Sequence, residues 1–98
     1  MKQGDVGSVI FVTCKDQNLE IIDLTNVILA VLVMKVGDIK FERSMQIVGD
    51  PTNGQVQYVI NTGDLDLPGE LNMEVRLVYS NGNDFTCRDF NVEVEARL

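Results

Sequence analysis

The feature that most constrains this chain is an unbroken apolar run, Val27-Ile28-Leu29-Ala30-Val31-Leu32-Val33-Met34. A half-buried antiparallel strand alternates apolar and polar residues, because its successive side chains point to opposite faces. A strand that is apolar on both faces is covered on both faces, and in a small chain one cover is the core. The other cover is a second layer of the same chain or another molecule. The run therefore points to assembly more than to chemistry.

The charge balance excludes two classes of partner. The net charge is −7 over 98 residues, and the 8 basic residues are scattered along the chain. No basic stripe is available to neutralise phosphates or to bind an anionic membrane surface. The apolar run is too short for a membrane helix, which needs about 20 residues, and it lies mid-chain, unlike a signal peptide. We expect no nucleic-acid partner, no membrane partner and an intracellular product, or one released without a secretion signal.

Turn signals rich in Gly, Asn, Asp and Pro recur along the chain at intervals of about 8–12 residues. Between them lie strand-like segments at 6–14, 19–22, 27–36, 39–48, 55–61, 70–80 and 85–97. None shows a stripe with a 3.6-residue period. The pattern predicts one all-β domain over residues 1–98, a small antiparallel immunoglobulin-like β-sandwich of six or seven strands.

Two irregularities refine this prediction. Arg43 interrupts the apolar face of segment 39–48, which indicates a bulge or an edge position. In the last segment Phe85 and Cys87 are out of phase with Phe90, which predicts a bulge near Arg88-Asp89.

The apolar strand needs an assignment of its two faces. We assign Leu29, Val31 and Val33 to the core of the domain. The opposite face is the predicted intermolecular contact, and its residues are Ile28, Ala30, Leu32 and Met34, with Val36 at the rim. A soluble monomer rarely leaves a large apolar patch open. The alternative is that a loop of the same chain, at residues 65–68, covers this face.

The sequence offers little for catalysis. It contains no His, so a Ser-His-Asp triad or a histidine base is impossible. Cys14 and Cys87 are expected to be reduced, although they could join the first and last strands. Asp64, Asp66 and Glu70 lack the ligand order of a dedicated calcium loop. We predict no catalytic residue, no metal site and no cofactor.

Several short motifs occur in a characteristic order along the chain: Gly4-Asp5, Ile22-Asp23-Leu24-Thr25-Asn26, Gly54-Gln55-Val56-Gln57-Tyr58, Asp64-Leu65, Leu67-Pro68-Gly69, Leu77-Val78-Tyr79-Ser80 and Asn81-Gly82. In order and spacing the chain resembles the N-terminal domain of phage baseplate upper proteins, or a related phage head-fibre or decoration β-sandwich. It departs from that family at Asn26-Val27, where Gly-Ala is usual, and in the apolar residues of a strand face that is usually polar.

The resemblance implies a structural protein of the bacteriophage virion. Such a domain anchors appendages by protein–protein contacts with other virion proteins, and we expect a homo-oligomer and no enzymatic activity. The alternative is a free-standing ligand-binding module, carbohydrate-binding or adhesin-like, which a row of exposed aromatic residues would favour. An enzyme is the remaining rival.

Overall fold

Seven β-strands form two antiparallel sheets in the computed structural model of the chain, which describes residues 2–65 and 68–95 (at 85 and 88–90, the backbone only). The strands are β1 Val9–Thr13, β2 Val27–Val36, β3 Ile39–Ser44, β4 Gln46–Ile47, β5 Gln55–Val59, β6 Gly69–Tyr79 and β7 Asp84–Val94. The described residues contain no α-helix, and Pro51–Asn53 forms a short 3-10 turn. The predicted all-β sandwich is confirmed.

The strands are divided into a small sheet with the order β1-β5-β4 and a large sheet with the order β3-β2-β6-β7. The predicted strand 39–48 is in fact two strands, because the chain changes sheets at Met45. The Met45 N–H still donates to the Ala30 carbonyl of β2 at 2.8 Å, whereas the Val48 N–H donates to the Gln55 carbonyl at 2.8 Å. β3 is an edge strand, as the position of Arg43 indicated.

The predicted bulge in the last strand is present, slightly earlier than expected. Val75 pairs with Arg88 and Arg76 pairs with Thr86, so Cys87 is the extra residue on β7. The predicted short strand at 19–22 is reduced to a hairpin in which Lys15 and Ile21 form one isolated bridge.

The core lies between the two sheets, and alternate residues of β5 and β6 point into it. The side chains of Val56, Tyr58 and Ile60 are buried, as are those of Leu71, Met73, Val75 and Leu77.

The predicted assignment of the two faces of β2 is wrong. Leu32 and Met34 are fully buried and Ala30 is 4% exposed, and all three belong to the core cluster. Their partners on β6 are Val75, Met73 and Leu77, respectively. Directly paired residues of neighbouring strands point to the same face, so the core residues of β6 fix the inner face of β2.

The other residues of the predicted contact are divided between core and solvent. Val36 is half-buried against the core cluster. Ile28 is 68% exposed, beside a shift of register between Val27 and Leu29. Lys35 carried the missed signal, because as the one charged residue of β2 it marks the odd-numbered face as the outer one.

Candidate interaction surfaces

The outer face of β2 is covered by side chains of the chain itself. Arg76 on β6 is paired with Val31 on β2, and its Nη1 atom lies 3.7 Å from Oε1 of Glu42 on β3. Because β2 lies between β6 and β3, this ion pair passes over β2. Arg76 also donates to Asp84 on β7, through Nε at 3.3 Å and through Nη2. Beneath it, Val31 and Val33 are only 9% and 5% exposed, although they lie outside the core cluster.

The second cover of the apolar strand is therefore internal. The cover is an ion pair between β6 and β3, the two strands that flank β2. The alternative predicted from the sequence was a cover of the even-numbered face by the loop at residues 65–68. Leu65 of that loop is buried in the same core cluster as Ala30, Leu32 and Met34; residues 66 and 67 lie outside the described part of the chain. Of the predicted contact residues, Ile28 is the one that remains largely exposed.

The outer face of the small sheet carries a different apolar patch. Val9 and Phe11 on β1 are each 51% exposed, and Val59 on β5 is 43% exposed. Val9 pairs directly with Val59, and Phe11 pairs with the next outward residue of β5, Gln57. These side chains form one surface, because they alternate with buried residues along both strands. We call it the small-sheet face, and its positions are Val9, Phe11, Thr13, Gln46, Gln55, Gln57 and Val59.

No position of the small-sheet face carries a charge, in a chain whose net charge is −7. The outer face of the large sheet carries five charged residues on β2, β3 and β6: Lys35, Lys40, Glu42, Glu74 and Arg76. The cores of protein interfaces are depleted of charged residues, and an exposed aromatic residue is typical of them. Phe11 was not predicted as a surface residue, because the sequence analysis assigned no inner and outer face to segment 6–14. A signal was available in Val59, an apolar residue at alternate spacing with Gln55 and Gln57 in segment 55–61.

Asp64 holds a buried polar cluster at one end of the small sheet. Its side chain is 1% exposed, and it accepts hydrogen bonds from Arg43 Nε at 3.0 Å, from the Asn61 N–H at 2.8 Å and from the Tyr58 hydroxyl. Burial, and then this hydrogen bond to the carboxylate, raises the pKa of Tyr58. The Arg43 guanidinium also lies 4.8 Å from the centre of the Phe41 ring. The Asp64 carboxylate therefore has a structural role.

Gly54, which begins the motif ending at Tyr58, is required by its surroundings. Its φ of +67° lies in the left-handed region, and an added Cβ would come within 2.8 Å of the Ile22 carbonyl oxygen. The Cys14 N–H donates to the Gly54 carbonyl at 2.7 Å, which joins this turn to the end of β1.

A local hydrogen bond also fixes the turn that leads into β2. Asp23 accepts a hydrogen bond from the Thr25 N–H at 2.9 Å, and Leu24 between them is buried in the core. In the motif Gly4-Asp5, the Gly4 N–H donates to the Leu65 carbonyl at 2.8 Å. The motifs that begin at Gly4, Ile22, Gly54 and Asp64 therefore have structural roles.

The two cysteines meet across the sandwich as free thiols. Cys14 is buried and Cys87 is half-buried, and a hydrogen bond with the Cys87 thiol lowers the pKa of Cys14. Among the described residues, no group of three His, Cys, Asp or Glu side chains could hold a metal ion. No helix in the described ranges is long and apolar enough to cross a membrane.

A hollow of about 370 Å³ lies on the outer face of the large sheet. It is lined by Val33, Lys35, Lys40, Asn72, Met73, Glu74 and Asn91. None of these lining residues is aromatic, so the hollow offers no stacking platform for a sugar ring.

A family model, the BppU N-terminal domain of phage baseplate upper proteins, matches residues 1–98. The chain belongs to this family. As a BppU N-terminal domain it is a structural component of the phage baseplate, located in the virion, which confirms the resemblance drawn from the sequence motifs. No curated protein and no solved structure matched the chain.

Proposed function

We propose that the chain is a non-enzymatic anchoring module that joins other virion proteins through the small-sheet face. The observation that carries the proposal is the lack of charge on this face together with the exposure of Phe11. Burial of a Phe or Val side chain stabilises by about 1.5–3 kcal/mol, so three half-exposed apolar residues are a source of binding free energy. Membership in a family of baseplate domains supports a role in assembly.

The charged residues of the large sheet also favour the small-sheet face as the contact. A partner that approaches the large sheet must desolvate or displace Lys35, Lys40, Glu42 and Arg76, and desolvating charged groups is costly unless they are matched. On the small-sheet face the polar positions are Thr and Gln, whose side chains can donate or accept hydrogen bonds at the rim of a contact.

The proposal treats residues 1–98 as one β-sandwich unit, part of a homo-oligomer. Within the baseplate the module acts through protein–protein contact with its neighbours. We assign it no cofactor.

The experiment compares two substitutions at equally exposed positions of the two sheets, introduced into the phage gene. Val59 on the small-sheet face and Leu29 on the large sheet are both 43% exposed. Val59→Lys should lower the amount of the protein in purified virions at least about tenfold, since an unmatched charge in a desolvated contact costs more than about 1.4 kcal/mol. Leu29→Lys should leave incorporation unchanged.

Mass spectrometry of the particles gives the amount, and circular dichroism of both purified variants verifies that they fold. Normal incorporation of folded Val59→Lys would refute the role of the small-sheet face. Selective loss of Leu29→Lys would place the contact on the large sheet instead.

A further inference from the structure

β1 differs from the other edge strands of the sandwich. The strand orders leave β1, β4, β3 and β7 with a neighbour on one side only. β3 and β7 contain charged residues, and β4 is two residues long. β1 has the sequence VIFVT and no charged residue. Charged side chains and shortness are devices that prevent sheet edges from pairing with other chains. β1 has neither device.

The open side of β1 presents backbone donors and acceptors. The Cys14 N–H donates to the Gly54 carbonyl at 2.7 Å, and the Ile60 N–H donates to the Ser8 carbonyl at 2.8 Å. Hydrogen-bonded and non-hydrogen-bonded pairs alternate along an antiparallel ladder, so the even-numbered residues of β1 bond to β5. The N–H and C=O groups of the odd-numbered residues therefore point away from β5. Among the described residues, β5 is the one strand that pairs with β1, so the outward groups of Val9, Phe11 and Thr13 face no second strand.

We infer that a second copy of this chain pairs with β1, antiparallel and in register at Phe11. In that register Phe11 lies opposite Phe11 of the second copy, and Val9 lies opposite Thr13. The outward N–H and C=O groups of the two strands then face each other, and the two small sheets join into one continuous sheet. This inference deepens the proposed function by naming the edge through which the homo-oligomer forms.

The charges at the two ends of β1 favour this direction of pairing. Lys15 follows the strand and Asp5 precedes it. Antiparallel pairing places Lys15 opposite Gly7 of the second copy, two residues from that copy's Asp5. Parallel pairing would place the two Lys15 side chains beside each other. Because each copy carries a net charge of −7, an uncharged strand is also where two copies approach with the least repulsion.

The first test blocks the edge without changing the ladder inside the domain. Thr13→Pro removes an outward N–H, a position at which an edge strand tolerates proline. Lys40→Pro is the matched control, because the Met45 N–H bond to Ala30 fixes the alternation on β3 and leaves the Lys40 N–H on the outer edge. Sedimentation analysis should find concentration-dependent dimers for the parent chain and for Lys40→Pro, and only monomers for Thr13→Pro. A monomeric parent, or a folded Thr13→Pro that dimerises like the parent, would overturn the inference.

The second test fixes the register and does not depend on proline. A short bismaleimide should link Phe11→Cys chains to each other, because the two cysteines would be opposite. The same reagent should not link Thr13→Cys chains, since Thr13 lies opposite Val9. Peptide mapping separates these links from reaction at Cys14 or Cys87. Equal linking of both variants would contradict the register.

The pairing through β1 and the role of the small-sheet face can each be refuted without refuting the other. If the parent is monomeric but Val59→Lys is lost from virions, the edge pairing is wrong and the proposed function stands. If Thr13→Pro abolishes dimers but Val59→Lys enters virions normally, the edge pairing stands and the role of the small-sheet face is wrong.

Discussion

Arg76 Nη1 lies 3.7 Å from Glu42 Oε1 although the two residues belong to strands that are not neighbours. The strand between them is β2, and the ion pair passes over Val31, a residue that is 9% exposed although it lies outside the core cluster between the sheets. Long charged side chains cover apolar surface with their methylene stems while their charged ends stay in water. This is how an apolar strand can lie in the middle of a charged sheet face.

The cover over β2 should act mainly through the stem of Arg76. Arg76→Ala should destabilise the domain by about 1 kcal/mol, because it exposes Val31 and Val33. Arg76→Met, which keeps most of the stem, should cost less than half of that, since ion pairs at exposed positions contribute about 0–1 kcal/mol. Urea unfolding measures both. An equal loss for the two variants would mean that the charge, not the stem, does the covering.

Asp64 should be the most sensitive polar residue of the described chain. Asp64→Ala leaves the Tyr58 hydroxyl and the Asn61 N–H without their acceptor, and we expect a loss of about 2–4 kcal/mol in the free energy of unfolding. Tyr58→Phe should cost about 1–2 kcal/mol, because a single donor is lost. Glu70→Gln, at an exposed position, is the control and should change little. A loss of unfolding free energy well below this range for Asp64→Ala would show that water replaces the carboxylate as the acceptor.

The stability of the domain should fall steeply only in acid. A hydrogen bond from the Thr52 N–H lowers the pKa of Asp50, and the hydrogen bond from Arg76 lowers that of Asp84. Groups with a lowered pKa in the folded state stabilise it above their unfolded pKa of about 3.9, and this stability is lost as the pH falls through the folded pKa. Between about pH 7 and pH 5 we expect constant or rising stability, because the net negative charge decreases toward the pI of about 4.3.

Thermal melts as a function of pH measure this dependence. Asp84→Asn should lower the melting temperature at neutral pH and weaken its decrease below pH 4. If the decrease of the melting temperature below pH 4 were the same in this variant as in the parent, Asp84 would contribute nothing to that decrease.

The alternation of polar and apolar residues was enough to predict the class of fold. Segments 55–61 and 70–80 alternate apolar and polar residues with a period of two, and the structure buries the apolar face of each. Segment 27–36 has no such alternation over its first eight residues, so its inner face had to be inferred, and the inference was wrong. Lys35 is the one residue of the segment that indicates the outer face. A single charged residue is weak evidence for the orientation of a whole strand until the pairing of β2 with β6 is known.

The candidate surface was harder to predict than the fold. Phe11 lies in a five-residue strand in which four residues are apolar, and only pairing with β5 reveals which of them face outward. The Arg76–Glu42 ion pair joins residues 34 positions apart across a third strand, and no local pattern encodes such a contact. Both features depend on strand order, which the sequence does not state.

The corrected faces of β2 can be tested with one pair of variants. Leu32→Asp places an unpaired charge in the core and should cost more than about 4 kcal/mol, enough to unfold a domain of ordinary stability. Leu29→Asp, on the outer face and 43% exposed, should fold. Circular dichroism of the purified variants measures the difference. A folded Leu32→Asp with an unfolded Leu29→Asp would restore the original assignment.

The central claim is that the small-sheet face contacts a neighbouring protein in the virion, and photo-crosslinking from that face tests it most directly. Benzoylphenylalanine replaces Phe11 in the phage protein, and a second variant carries it at Lys40 on the large sheet. After irradiation of assembled particles, mass spectrometry identifies the linked peptides. We expect links from position 11 to another virion protein or to a second copy, and none from position 40. Links from position 40 with none from position 11 would contradict this claim.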